Sequence, residues 1–98
     1  MILPLEFHVA VRDEIRDVYI WYEQRRIGLG REFMDELERG LGGIAANPVR
    51  YGLSEADIRE GLLRRFPYAI YYRHLSDRIR VLAVFHTSRN PSGWQARR

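Results

Sequence analysis

Arginine and histidine carry the chemistry open to this chain. Lysine and cysteine are both absent, so all 16 basic side chains are guanidinium groups. Guanidinium suits planar, two-toothed contact with a carboxylate or a phosphate. Arg64, Arg65, Arg73, Arg78 and Arg80 lie on or between three neighbouring strand-like segments, with Arg89 just after. Strand alternation divides them between two faces. Their spacing still lets Arg65 and Arg73 converge with His86 and Arg89 near one end of a sheet. Such a cluster holds a phosphate or an acidic segment. The plainer alternative is a solvated sheet face whose charges block edge pairing. His86 closes an apolar strand three residues before Arg89. A histidine beside a cation has a lowered pKa and suits general-base work; alternatively it donates one structural hydrogen bond that fixes the tail. His8 and His74 have no supporting neighbours in sequence and read as surface residues.

The aromatic residues interleave with arginine, as in base-stacking surfaces. Most of them read more simply as core: Tyr22, Phe66, Phe85 and one row of tyrosines. Trp21 lies beside the Val18/Tyr22 stripe rather than within it, which makes it a half-exposed interface anchor. Gly40, Gly42 and Gly43 are not a phosphate loop, since no strand precedes them and no Gly-Lys-Ser follows. They read as sites of close helix packing. Without cysteine there are no disulfides or thiolate zinc sites, and the three histidines are too scattered for a metal motif. No metal or cofactor is expected.

Charge is divided unevenly. Residues 1–60 carry a net −4, whereas residues 61–98 carry +7 with Asp77 as their only acid. A codon bias toward arginine accounts for the missing lysine but not for the acids stopping after Glu60. A basic second half points to a polyanion or an acidic protein partner. The longest apolar run, Phe66 to Tyr72, is far below the roughly 20 residues of a membrane span. No basic start followed by an apolar run marks a signal peptide. The expectation is a soluble cytoplasmic protein.

The elements that must position these residues follow from periodicity. At 98 residues the chain has room for one domain, residues 1–98. Ile2 to Ala10 alternates with period two and reads as a strand. Val11, Ile15, Val18 and Tyr22 follow helical spacing, and Gly28 stops that helix. A second helix runs from about Gly30 to Ala46 on Phe33, Leu37, Leu41 and Ile44, and Asn47-Pro48 ends it. The short link between the two implies an antiparallel helical hairpin. Residues 49–60 read as a loop with one helical turn. Gly61 to Phe66, Tyr68 to His74 and Ile79 to Thr87 then read as three strands. In the last, Ile79, Val81, Ala83 and Phe85 face one side, and Arg80, Leu82, Val84 and His86 the other. The tail from Ser88 is polar and turn-rich. The order β-α-α-β-β-β makes an α+β fold, an N-terminal helical hairpin packed on an antiparallel β-sheet.

In order and spacing these features resemble the RelE/ParE superfamily of bacterial type II toxins, over nearly the whole chain. The marks are Tyr22-Glu23, then Gly28-Leu29-Gly30-Arg31-Glu32-Phe33, Asn47-Pro48, the segment Leu63 to Tyr72, and Ile79 to His86 closed by Arg89, Pro91 and Trp94. The resemblance implies a toxin neutralised by a cognate antitoxin. The antitoxin's tail would lie along the helical hairpin and sheet, near Trp21 and the strand edges, and would supply the acids that residues 61–98 lack. The superfamily has two activities. Its RelE-like arm cleaves mRNA on the ribosome, and its ParE-like arm inhibits DNA gyrase. The arginine that RelE-type nucleases carry early in the middle strand falls at about Ala69 here. Their lysines are absent, as is the tyrosine some carry in the tail. The Phe-Pro-Tyr run and the His-x-x-Arg-x-Pro ending are most similar to ParE-like members.

The favoured expectation is therefore a ParE-like toxin that poisons DNA gyrase by binding, with Trp21, Arg64, Arg65, Arg73, Arg89 and Trp94 in contact with partners and His86 shaping the surface. The alternative is a ribosome-dependent mRNA endoribonuclease. There His86 would be the general base for the ribose 2′-OH, and Arg65, Arg73 or Arg89 would stabilise phosphorane-like charge. A third reading is a member that serves only in repression.

Overall fold

The computed structural model describes residues 2–98. Strand β1 (Leu5–Phe7) leads into helix α1 (Val11–Arg25) and helix α2 (Leu29–Ala46). A 3-10 turn (Pro48–Arg50) follows, then β2 (Leu53–Glu55), β3 (Ile58–Leu62), β4 (Tyr68–His74), β5 (Ile79–His86) and a last short helix α3 (Ser92–Gln95). The sheet order is β1-β5-β4-β3-β2. The expected antiparallel meander is β3-β4-β5. β2 extends it antiparallel at one edge, and β1 joins the other edge parallel to β5, so the five-stranded sheet is mixed.

The helical hairpin follows from its short motif. Gly28 sits at φ 91°, a left-handed backbone that glycine adopts without a Cβ penalty. The first N–H groups of α2 have no partner within the helix. The Glu23 carboxylate, on α1, accepts from Gly28 N at 2.8 Å and Gly30 N at 2.9 Å. A Cβ on Gly30 would lie 2.7 Å from the Tyr19 carbonyl oxygen, so the close helix approach is there. Gly40 and Gly43 instead face Ile70 and the Tyr51 hydroxyl, and Gly42 meets nothing. The three glycines expected to serve helix packing therefore fit the sheet and its flank or stay open.

The hairpin covers one sheet face. Val11, Val18, Phe33, Leu37 and Ile44 pack there against Ile70, Tyr72, Ile79, Val81 and Val84. The other face carries a second cluster of Ile58, Ala69, Tyr71, Leu82, Ala83 and Phe85 under Trp94 of α3. The register of β4 on β5 slips between Tyr71↔Ala83 and Tyr72↔Val81, which leaves Leu82 as an extra residue. This bulge reverses the alternation of β5. The expected row Ile79, Val81, Ala83 and Phe85 is broken. Ile79 and Val81 share the helix side with Val84, while Ala83 and Phe85 join the other cluster.

Three boundaries differ from the periodicity. Residues 49–60, expected as a loop, hold β2 and the start of β3, joined by a tight turn with Ala56 at φ 48°. The strand expected over Gly61–Phe66 lies at Ile58–Leu62 instead. The Glu36 carboxylate accepts from the backbone N–H groups of both Arg64 and Arg65 and draws the chain off the ladder. The strand expected over Ile2–Ala10 shortens to Leu5–Phe7, because Leu3 N donates to Ala45 of α2 and the His8–Ala10 turn starts α1.

Candidate functional site

The bulge sets the position of His86. It shares the helix side with Val84, and its ring meets the Tyr68 ring edge-on at 5.1 Å. Nδ1 accepts the Ser88 N–H at 3.0 Å, which fixes the first turn of the tail. The structural hydrogen bond expected of His86 thus exists, with the imidazole as acceptor rather than donor. Arg89 follows, its guanidinium 4.7 Å from the Phe85 ring centroid, and among the described residues no acid pairs with it. A cavity of about 390 Å³ opens between the end of β5 and the first turns of α1. His86, Arg89 and Tyr68 line it together with Asp13, Asp17 and Arg97. Burial pushes the Tyr68 hydroxyl up from its ordinary value, against the pull of Arg89. Cations and carboxylates therefore share one opening. A phosphate seated there would face Asp13 and Asp17, whereas a protein surface carrying both signs would be complemented.

The other expected residues lie elsewhere. Arg65 donates from Nη2 to Glu32 Oε1 at 2.8 Å on the α2 side. Arg26 holds the second oxygen of the same carboxylate at 3.0 Å, and with Arg65, the stronger influence, keeps Glu32 below the usual carboxylate range. Arg73 donates from Nε to Asp57 Oδ2 at 2.9 Å and holds Asp57 low. It stands beside Arg80 in register, whereas His86 stands beside Tyr68. Those two positions are five residues apart on β4, about 17 Å at about 3.3 Å per residue. Arg73 stands too far along β4 to converge with His86, and Arg65 is paired with Glu32 and does not line the cavity that His86 and Arg89 share. Arg64 uses its backbone N–H on Glu36 and leaves its side chain exposed.

Of the two tryptophans, Trp21 fits the expectation of a half-exposed residue. It is 49% exposed, beneath the Arg25 guanidinium at 3.7 Å from its ring centroid. Exposed Ile20 and Ile27 lie near it in sequence. Trp94 does not fit the expectation of a contact residue: it is 2% exposed and stacked on Tyr71 at 4.0 Å, a core residue of the outer cluster.

Several anchoring residues escaped the sequence reading. Glu23, Glu36 and Glu14 each bind backbone N–H groups, and in a helix such acids look like any wet-side residue. His8, read as a lone surface residue, caps Ala10 N–H through Nδ1 at 3.0 Å and lies near Arg97, Arg80 and Glu14. Among the described residues no group of three His, Asp or Glu side chains is placed to hold a metal ion, and no helix is long and apolar enough to cross a membrane.

A family model described as the ParE toxin of the type II toxin–antitoxin system parDE matches residues 5–91. The chain belongs to the ParE toxin family. The matched span runs from β1 past the His86–Arg89 segment, so it holds the toxin's hairpin, its sheet and most of the cavity wall, while Arg97 of that wall lies beyond it. The toxin fold is similar to a solved structure titled as a chromosomal ParDE toxin–antitoxin system from P. aeruginosa. Sequence identity is 14%, the TM-score is 0.75, and the match covers 87% of this chain and 96% of the other. No protein of curated function matches the toxin by sequence.

Proposed function

We propose that this toxin is a cytoplasmic growth inhibitor, neutralised by a cognate antitoxin, and that it acts by binding and poisoning DNA gyrase. The observation carrying this reading is the mixed-charge cavity, where His86 and Arg89 share the opening with Asp13 and Asp17. Arg65 and Arg73 are meanwhile paired with Glu32 and Asp57. A ribonuclease site needs cations gathered at the developing phosphorane charge. A binding surface needs only complementary signs. The antitoxin segment is assigned to the exposed face of the hairpin around Trp21 and Ile27 and to the free edge of β1.

The test is a supercoiling assay with toxin freed of its antitoxin, gyrase, ATP and relaxed plasmid. The expected result is loss of supercoiling with trapped cleaved DNA, little changed in His86→Gln. Intact supercoiling at a large excess of folded toxin, with cleavage of mRNA on programmed ribosomes that His86→Gln abolishes, would replace this reading with the endoribonuclease.

A further inference from the structure

Away from the His86 cavity, three other guanidinium groups gather without an ion-pair partner among the described residues. Arg39 on α2, Arg50 in the 3-10 turn and Arg64 after β3 line a cavity of about 310 Å³, together with Tyr51, Leu62 and Leu63. None of the three forms an ion pair among the described residues. The one carboxylate in the wall, Glu36, is buried and already accepts the backbone N–H groups of Arg64 and Arg65. The opening therefore carries an excess of positive charge in forked donors, and such donors pair best with planar carboxylates or with phosphates.

The surroundings separate these two ligand classes. The Arg50 guanidinium lies 4.9 Å from the Tyr51 ring centroid and donates to the Tyr51 hydroxyl at 2.8 Å, so that ring face is not free to stack a base. Base stacking is what single-stranded nucleic acid asks of such a groove. Apolar side chains flank the cations instead: Leu62 in the wall, and Val49 and Leu53 on either side of Arg50 and Tyr51 in the chain, all three exposed. Apolar groups beside unpaired cations complement a segment that alternates carboxylates with leucine-type side chains.

We propose that the Arg39/Arg50/Arg64 cavity docks an acidic, leucine-bearing segment of a protein partner. Carboxylates sit on the guanidinium groups, and an apolar side chain lies against Tyr51, Leu62 and Leu63. The partner's identity as the antitoxin rests on the reading above; the chemistry of the segment does not.

The test uses the full chain with ¹⁵N-labelled arginine and three probes: a dodecamer peptide of Glu and Leu, the same peptide with Lys for Glu, and a single-stranded DNA dodecamer. The Glu/Leu peptide is expected to shift the Nε–H resonances of Arg39, Arg50 and Arg64, and the Lys peptide to shift none. Arg39→Gln and Arg64→Gln are each expected to weaken binding roughly tenfold, the scale of one lost charge-assisted hydrogen bond. Arg89→Gln leaves it unchanged. Arg39→Lys, which keeps the charge and loses the fork, falls between. Backbone amide spectra check that each variant is folded. Shifts that are absent or confined to Arg65 and Arg89, or tighter binding of the DNA at the same three resonances, overturn the proposal. A chain that leaves gyrase untouched yet binds the peptide at these arginines sinks the gyrase reading and upholds this one.

Discussion

Arg97 and Glu14, from opposite ends of the chain, form an ion pair of 2.7 Å between Nη1 and Oε2, with only 16% and 15% of their side chains exposed. The pair continues a strand ladder where a strand is missing. β1 stops at Phe7, and the next bond to β5 is His8 N to Val81 O at 2.8 Å. Beyond it, Arg97 Nη1 donates to Leu82 O at 2.9 Å and Val84 N donates to Glu14 Oε1 at 3.1 Å. One carboxylate and one guanidinium thus stand in for the acceptor and donor of a neighbouring backbone, and they fasten the tail to α1.

Arg97→Met and Glu14→Gln are each expected to cost about 3 kcal/mol, the low end for breaking a buried pair, because some exposure remains. Urea unfolding reads this, and a double-mutant cycle gives the coupling. A cost under about 0.5 kcal/mol for Arg97→Met would show that the pair is only a surface contact.

Gly30→Ala is expected to destabilise by about 1–3 kcal/mol, because its Cβ would press on the Tyr19 carbonyl oxygen across the hairpin. Gly42→Ala, in the same helix but with nothing near its Cβ, is expected to stabilise by about 0.5–1 kcal/mol. Thermal melts of the two variants should move in opposite directions.

The two tryptophans separate by exposure, so acrylamide should quench Trp21 strongly and Trp94 weakly, read in Trp94→Phe and Trp21→Phe respectively. Trp94→Ala is expected to lose about 3–5 kcal/mol with its stack on Tyr71. Trp21→Ala should stay within about 0.5 kcal/mol in stability while weakening antitoxin binding.

His8 gives a pH dependence. Burial is the main cause of its lowered pKa, with Arg97 and Arg80 adding to it and Glu14 opposing. The folded state therefore favours the neutral ring, whose Nδ1 accepts the Ala10 N–H. Its contribution is complete above the ordinary value of 6.5 and is lost as pH falls from there through the lowered folded value. His8→Asn keeps an acceptor two residues before Ala10 and does not titrate. Urea midpoints between about pH 7 and pH 5 should fall in the parent chain and flatten in this variant.

The helical hairpin and the β3-β4-β5 meander are legible in the sequence, because a half-buried helix or strand writes its own period. Tyr68–His74 is a strand over just the expected span, with Ile70 and Tyr72 packed on one face and Ala69 and Tyr71 on the other. The stripe Phe33, Leu37, Leu41 and Ile44 packs as helical spacing implies. The division of charge is legible too, as is the half-exposure of Trp21. Tertiary structure decided what period cannot encode. The bulge at Leu82 reversed the second half of β5 and set the side on which His86 stands. Trp94 became core because a ring on Tyr71 was there to receive it. Arg65 and Arg73 were taken up in ion pairs by Glu32 and Asp57, at separations of 33 and 16 residues. Glu36 moved the end of β3 by capturing two N–H groups 28 and 29 residues away. Local sequence reports which face of an element is buried. The partner of a charge or of a freed backbone group depends on which distant residues the completed fold brings within hydrogen-bond reach.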